Sequence, residues 1–178
     1  MAYYFLIASL PTLQFNSNPP LSCEEFLSRC RLQLNKNDFD VVEGLIKNGK
    51  GNDDNNDIVL KKWINFNHNF KNEMAFFRAK RAGKDPSDYL RGPRNGEDFF
   101  KNVIEEAAKA QNPLSTEKIF DQSRWQFLDD LQRFEYFNLA YLICYALKLS
   151  ILERYENINS PKGRAIFGEY RNIDVTLN

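Results

Sequence analysis

The residues that could do chemistry in this chain are few and poorly matched to one another. His68 is the only histidine, and the thiols are Cys23, Cys30 and Cys144. A zinc site needs further histidines or paired cysteines at ligand spacing, and none accompanies His68. The acidic run Asn52–Asp57 has the composition of a calcium loop. A helix–loop–helix calcium motif starting at Asp53 requires glycine at its sixth position and glutamate at its twelfth, where this chain has Ile58 and Ile64. Gly49-Lys50-Gly51 lacks the spacing of a phosphate-binding loop, and no strand precedes a G-x-G-x-x-G pattern. No G-x-S-x-G nucleophile turn is present. Sequence does not give the distance from any thiol to His68, but the apolar flanks of Cys144 raise its pKa and make it inert.

Three pairs of neighbouring acids remain, Glu24-Glu25, Glu105-Glu106 and Asp129-Asp130. Adjacent positions on a helix point about 100° apart, so no pair converges on one substrate atom. Asp129 and Arg133 fall instead at the spacing of a surface ion pair. These patterns predict no catalytic centre, no cofactor and no metal.

One cluster stands above the background. Between Arg78 and Arg94 lie six cations, Arg78, Lys80, Arg81, Lys84, Arg91 and Arg94, against only Asp85 and Asp88. Phe76, Phe77 and Tyr89 are interleaved. Arginine with aromatics is the composition of protein interfaces. Arg78, Lys80, Arg81, Tyr89 and Arg91 are therefore the candidate protein-interface residues. Arg78 and Arg81 share a helix side, Lys80 points elsewhere, and the turn at Gly83 and Asp85-Pro86 is expected to return Arg91 towards the arginines. The competing reading is a solvated helix end, where the helix dipole favours cations, with Arg78 paired to Glu73 or Asp85.

The bulk properties limit the partners. The 178 residues suit one domain, residues 1–178, and 43% are hydrophobic. Lys+Arg 24 balance Asp+Glu 24, so the formal net charge is zero. That balance argues against a general nucleic-acid binder, which needs surplus cations to displace counterions. Cys23 and Cys30 stand seven apart on an expected helix, about 10 Å along its axis, too far for a disulfide. The thiol usage fits a reducing, cytoplasmic setting. No basic region precedes the apolar Tyr3–Leu10 stretch, so it is not read as a signal peptide. The apolar run Leu139–Leu152 is short of the roughly 20 residues a membrane span needs.

The elements that must position these residues are helical. Ser22 and Glu25 form a capping box ahead of the stripe Phe26, Leu27, Cys30 and Leu34. Asp38 is expected to cap a second short helix carrying Val41, Val42, Leu45 and Ile46, stopped at Gly49. Lys50–Asn56 reads as a loop. Asp57 caps a long helix through about Ala82, marked by Ile58, Leu60, Trp63, Ile64, Phe70, Met74 and Phe77. Pro86 starts a short helix, and Gly92-Pro93 breaks the chain. Further helices are expected over Asn95–Gln111, after Asn112-Pro113, over Leu139–Tyr155, and after Ser160-Pro161. Phe137, Leu139, Leu142, Ile143, Ala146, Leu147 and Leu149 are the expected core, packed by Trp125 or Leu128. Tyr3–Leu10 has no clear period and is open to a short strand or a buried helix. The fold class is all-α, an irregular bundle of about seven helices.

Three stretches together resemble a known family. They are Tyr3–Pro11; Asn72-Glu73 through Arg78-Ala79-Lys80-Arg81 to Asp85-Pro86 and Tyr89-Leu90-Arg91-Gly92; and Arg124-Trp125 through Tyr145, Leu152-Glu153-Arg154-Tyr155 and Gly163–Phe167. This resembles a bacterial family of uncharacterised proteins encoded beside V/A-type ATPase genes. Its members are similar to a shortened central-stalk subunit, called C or d, a helical connector between the rotor shaft and the membrane ring. The resemblance implies a non-catalytic accessory or connector, bound to ATPase subunits and held at the inner face of the membrane through them. Two other classes compete with it. One is a small helical enzyme or ligand-binding protein, whose sign is a deep polar pocket with perturbed carboxylates. The other is a nucleic-acid adaptor using the basic cluster.

Overall fold

A computed structural model describes residues 3–49 and 57–160 of the chain. Within them run α1 (Tyr4–Ser9), α2 (Cys23–Gln33), α3 (Lys36–Asn48), α4 (Ile58–Arg81), a 3-10 turn (Pro86–Tyr89), α5 (Asp98–Ala108), α6 (Pro113–Gln132) and α7 (Leu139–Asn159). No strand occurs among the described residues, and the all-α bundle expected from the periodicity is what forms. The loop Lys50–Asn56, its calcium-like run up to Asn56, and the helix expected after Pro161 lie outside the described residues.

Local chemistry starts most of the helices. The Ser22 hydroxyl accepts from the Glu25 amide, and Glu25 accepts from the Ser22 amide, each at 3.1 Å. Asp57 caps α4 by accepting from the Val59 and Leu60 amides at 2.8 and 3.1 Å. Asn112 caps α6 with Pro113 in the first turn. α3 starts earlier than expected, because Asn35, not Asp38, is its cap. The Asn35 side chain accepts from the Asp38 amide at 3.0 Å. Asp38 is left free to accept from the Tyr3 hydroxyl and from Asn35 Nδ2. Gly49 closes α3 at φ 62°, in the left-handed region that glycine adopts without penalty.

The open choice at the N-terminus resolves as helix. Tyr3, Leu6 and Ile7 are buried at i, i+3 and i+4, while Tyr4 and Phe5 face outwards. α5 is also shorter than the expected Asn95–Gln111.

α7 is the centre of the molecule and is buried on several sides. Ile143, Cys144, Leu147 and Ile151 join one cluster with Trp125, Leu128, Phe66, Phe70 and Phe100. Leu142, Tyr145, Ala146 and Leu149 join a second with Leu6, Phe26, Cys30 and Val42. Of the expected core residues, Leu142, Ile143, Ala146, Leu147 and Leu149 are buried, and Leu139 is partly so. Phe137 is not part of the helix: it precedes the cap Asn138 and has φ 56°. On α4, Ile58 and Ile64 are exposed rather than on the core stripe, which runs through Leu60, Trp63, Phe66 and Phe70.

Lys148 is buried in this apolar helix. Its ammonium donates to Asp129 Oδ1 at 2.5 Å and to Gln132 Oε1, and stands 5.6 Å from the Trp125 ring. Asp129 is therefore taken up by α7, and Arg133 pairs with Asp130 instead of Asp129. A buried ammonium requires a partner, and this demand outweighs a weak surface pair. No helix among the described residues is long and apolar enough to cross a membrane.

Candidate interaction surface

The basic cluster forms a strap that leaves the end of α4 and folds back on it. α4 stops at Arg81, and Gly83 turns the chain at φ 67°. Asp85 caps the 3-10 turn by accepting from the Ser87 amide at 2.9 Å, and this bond lowers its pKa. Gly92, at φ 77°, turns the chain again between Arg91 and Arg94, both of which bond to α4.

Two consecutive buried polar residues of α4 hold the returning strap. Asn72 accepts from the Arg91 amide at 3.0 Å and donates through Nδ2 to the Arg91 carbonyl at 2.9 Å. Nδ2 also lies 3.2 Å from His68 Nε2. Glu73 accepts a fork of two bonds from Arg94, Nε to Oε2 at 2.7 Å and Nη2 to Oε1 at 2.5 Å. This pairing favours the charged guanidinium and raises the Arg94 pKa. The Arg94 guanidinium also lies 3.6 Å from the Phe76 ring centroid, and the Lys80 ammonium is 4.8 Å from the same ring. A carboxylate removed from water needs this kind of bidentate partner.

The clamp changes the expected arrangement of the interface residues. Asn72, Phe76 and Lys80 are four apart and share a helix side. Lys80 therefore stands on the strap side. Arg78 and Arg81, six and nine residues beyond Asn72, are rotated from it by roughly 240° and 180°. Arg91 returns to the Asn72 side, not to that of the arginines. Glu73 is taken by Arg94, and Arg78 and Arg81 enter no ion pair among the described residues. All five candidates, Arg78, Lys80, Arg81, Tyr89 and Arg91, are exposed. Lys84 stands 5.8 Å from the Tyr89 ring.

Asn72 is the residue whose role the sequence reading missed. Its only signal is a pair of polar residues on a helix between two buried apolar residues, Phe70 and Ala79.

A second charged cluster is structural. Asp121 is 1% exposed and accepts from Arg124 Nη1 at 2.6 Å and from Arg154, tying α6 to α7. Arg124 also lies 5.3 Å from the Phe70 ring. Beside it, burial and the Asp121 carboxylate push the Tyr155 phenol up to about 12. An open groove of about 570 Å³ runs between residues 16–19, the start of α6 at Leu114 and Lys118, and the end of α7 at Tyr155 and Glu156.

The thiols are free and buried. Burial pushes Cys23, Cys30 and Cys144 each up to about 12, with Glu153 adding to the rise at Cys23. At neutral pH they are thiols, not nucleophilic thiolates. No cluster of three His, Cys, Asp or Glu side chains suited to a metal occurs among the described residues.

No curated protein and no solved structure matches this chain. One family model does: residues 96–173, a stretch that includes α5, α6 and α7 but not the strap clamp on α4, match the family described as "Protein of unknown function (DUF2764)".

Proposed function

We propose that this chain is a non-catalytic protein-binding component of a V/A-type ATPase, connecting or assembling the rotor stalk and the membrane ring. The observation that carries a binding role is the clamped strap. The buried side chains of Asn72 and Glu73 spend their hydrogen bonds on holding Arg91 and Arg94 in place. The result is a fixed platform from which Lys80, Lys84, Tyr89 and the Arg91 side chain project into solvent. Pre-ordered cations and an aromatic lose little entropy on docking. An acidic surface is the complementary partner. The choice of a V/A-type ATPase subunit as that partner rests on the family resemblance of the strap and of the Arg124–Tyr155 region. In this reading the protein works on the cytoplasmic side, held at the membrane by its partners.

The test is isolation of the tagged chain from native membranes under gentle conditions, with the retained subunits identified by mass spectrometry. Rotor or ring subunits should co-purify with the parent and be lost with Arg91→Glu. A folded parent that retains no ATPase subunit would end this assignment.

A further inference from the structure

A patch of exposed aromatics lies where α1 meets the turn between α6 and α7. Tyr4 and Phe5 of α1 are 57% and 82% exposed, and Phe134 and Tyr136 of the turn are 79% and 70% exposed. The two segments are joined. The Tyr3 amide donates to the Phe137 carbonyl at 2.5 Å, and the Tyr4 ring centroid lies 4.5 Å from that of Phe137 and 5.8 Å from that of Phe5.

The turn is held in an uncommon shape. Phe137 has φ 56°, which bulky side chains rarely adopt. The Tyr136 hydroxyl donates to the Arg133 carbonyl at 3.0 Å, and Asn138 Nδ2 donates to Glu135 at 2.5 Å. Phe137 is thus turned in against Tyr4, while Phe134 and Tyr136 stay in solvent. Such a cost in backbone and exposed aromatic surface is met at interaction sites.

We infer that this patch is a two-fold self-association face, and that its occupant is a second copy of this chain. Three observations select that occupant. An aromatic side chain carries roughly 200 Å² of surface, so the four expose about 600 Å² at these fractions. Two copies face to face would cover about 1,200 Å², the lower end of a stable specific interface. The rim also complements itself. Asp130 and Arg133 are both exposed and lie 3.4 Å apart. Across a two-fold axis Arg133 can meet the partner's Asp130 twice over, as an isologous contact demands. Finally, the chain has zero formal net charge, so copies do not repel at long range. A lipid surface would instead favour aromatics ringed by cations. The segment 130–138 carries one arginine against Asp130 and Glu135.

The experiment is sedimentation equilibrium of the full chain from micromolar to hundreds of micromolar, with folding checked by circular dichroism. The parent should form a dimer. Phe5→Asp and Phe134→Asp should each raise the dissociation constant at least tenfold. Leu32→Asp, at an exposed leucine on α2, should leave it unchanged. Asp130→Arg and Arg133→Asp should each weaken the dimer, and the two together should restore it. A parent that stays monomeric across the range overturns the inference. If that monomer also pellets with phosphatidylcholine–phosphatidylserine vesicles, the occupant is lipid. A dimer indifferent to both phenylalanine variants places the contact on another face and overturns it equally.

Discussion

The carboxylate of Glu73 on α4 is gripped by the guanidinium of Arg94, 21 residues further on, through two hydrogen bonds of 2.7 and 2.5 Å. Glu73 is almost fully buried, whereas Arg94 is about a third exposed. Arg94→Ala leaves a buried carboxylate without its partner. The expected loss is about 2–3 kcal/mol, below the range for a fully buried pair because solvent reaches the arginine. Arg94→Lys should recover only part, since an ammonium cannot form the fork. The specific readout is the Arg91 amide, which donates to Asn72. Its hydrogen exchange should accelerate in Arg94→Ala. Unchanged exchange would mean that Asn72 alone holds the strap.

The central helix gives the second prediction. Leu142 and Leu147 lie on different sides of α7, the first in the cluster with Phe26 and the second in that with Trp125. Each truncation to alanine should cost about 2–5 kcal/mol. Urea unfolding measures both. A cost under about 0.5 kcal/mol at either position would show that its side repacks freely.

The contrast between α7 and the strap explains what could be read in advance. Caps and stripes are local, so Ser22 with Glu25, Asp57, and the buried run Leu142–Leu149 were legible. The strap clamp was not, because it depends on how the turns at Gly83 and Gly92 direct the chain in space. Gly92-Pro93 announces a break without announcing its direction. The competing reading paired Arg78 with Glu73 or Asp85, whereas the partner of Glu73 is Arg94. Lys148 shows the same limit. It reads as an interruption of an apolar run, yet it is buried and answered by Asp129 and Gln132 from α6. Asp38 lost its cap role to Asn35 for a related reason, since Tyr3, 35 residues away, takes its carboxylate. At the N-terminus an aromatic run without a period left strand and helix equal until burial of Tyr3, Leu6 and Ile7 decided it.

The third prediction is a pH dependence. Burial pushes Cys30 and Cys144 up to about 12, and burial together with the Asp38 carboxylate does the same to Tyr3. These groups are neutral when protonated, and the folded state holds the proton more tightly than the unfolded chain. Their contribution is complete below the unfolded values near 9 to 10 and is lost as pH rises towards 12. Stability should therefore decline across that alkaline window. Urea midpoints at pH 8 and above would check it. Replacing Cys30 with alanine should flatten the decline. A midpoint that holds steady above pH 9 would contradict the burial of these groups.

The last prediction divides the basic surface into two sides. Lys80 and Arg91 belong to the strap side with Asn72 and Phe76, whereas Arg78 and Arg81 stand roughly 120° and 180° away from Asn72 around α4. A partner that docks on the platform should feel Arg91→Glu strongly and Arg81→Glu weakly. A partner that grips the far side of α4 should show the reverse order. Within either side, arginine can hold a carboxylate bidentately, so Arg→Lys should weaken binding less than Arg→Glu but still measurably. Rim contacts lower the association rate and fade with salt, while a desolvated pair speeds dissociation and costs about 2–5 kcal/mol. Asn72→Ala is the control for order. It releases the Arg91 backbone without removing a charge, so platform binding should weaken while the salt dependence stays the same. Affinities for a co-purified ATPase subunit, taken at two salt concentrations for Arg78→Glu, Arg81→Glu, Arg91→Glu and Asn72→Ala, separate these cases. If all four folded variants bind like the parent at low salt, the basic surface is only a solvated helix end and the partner docks elsewhere.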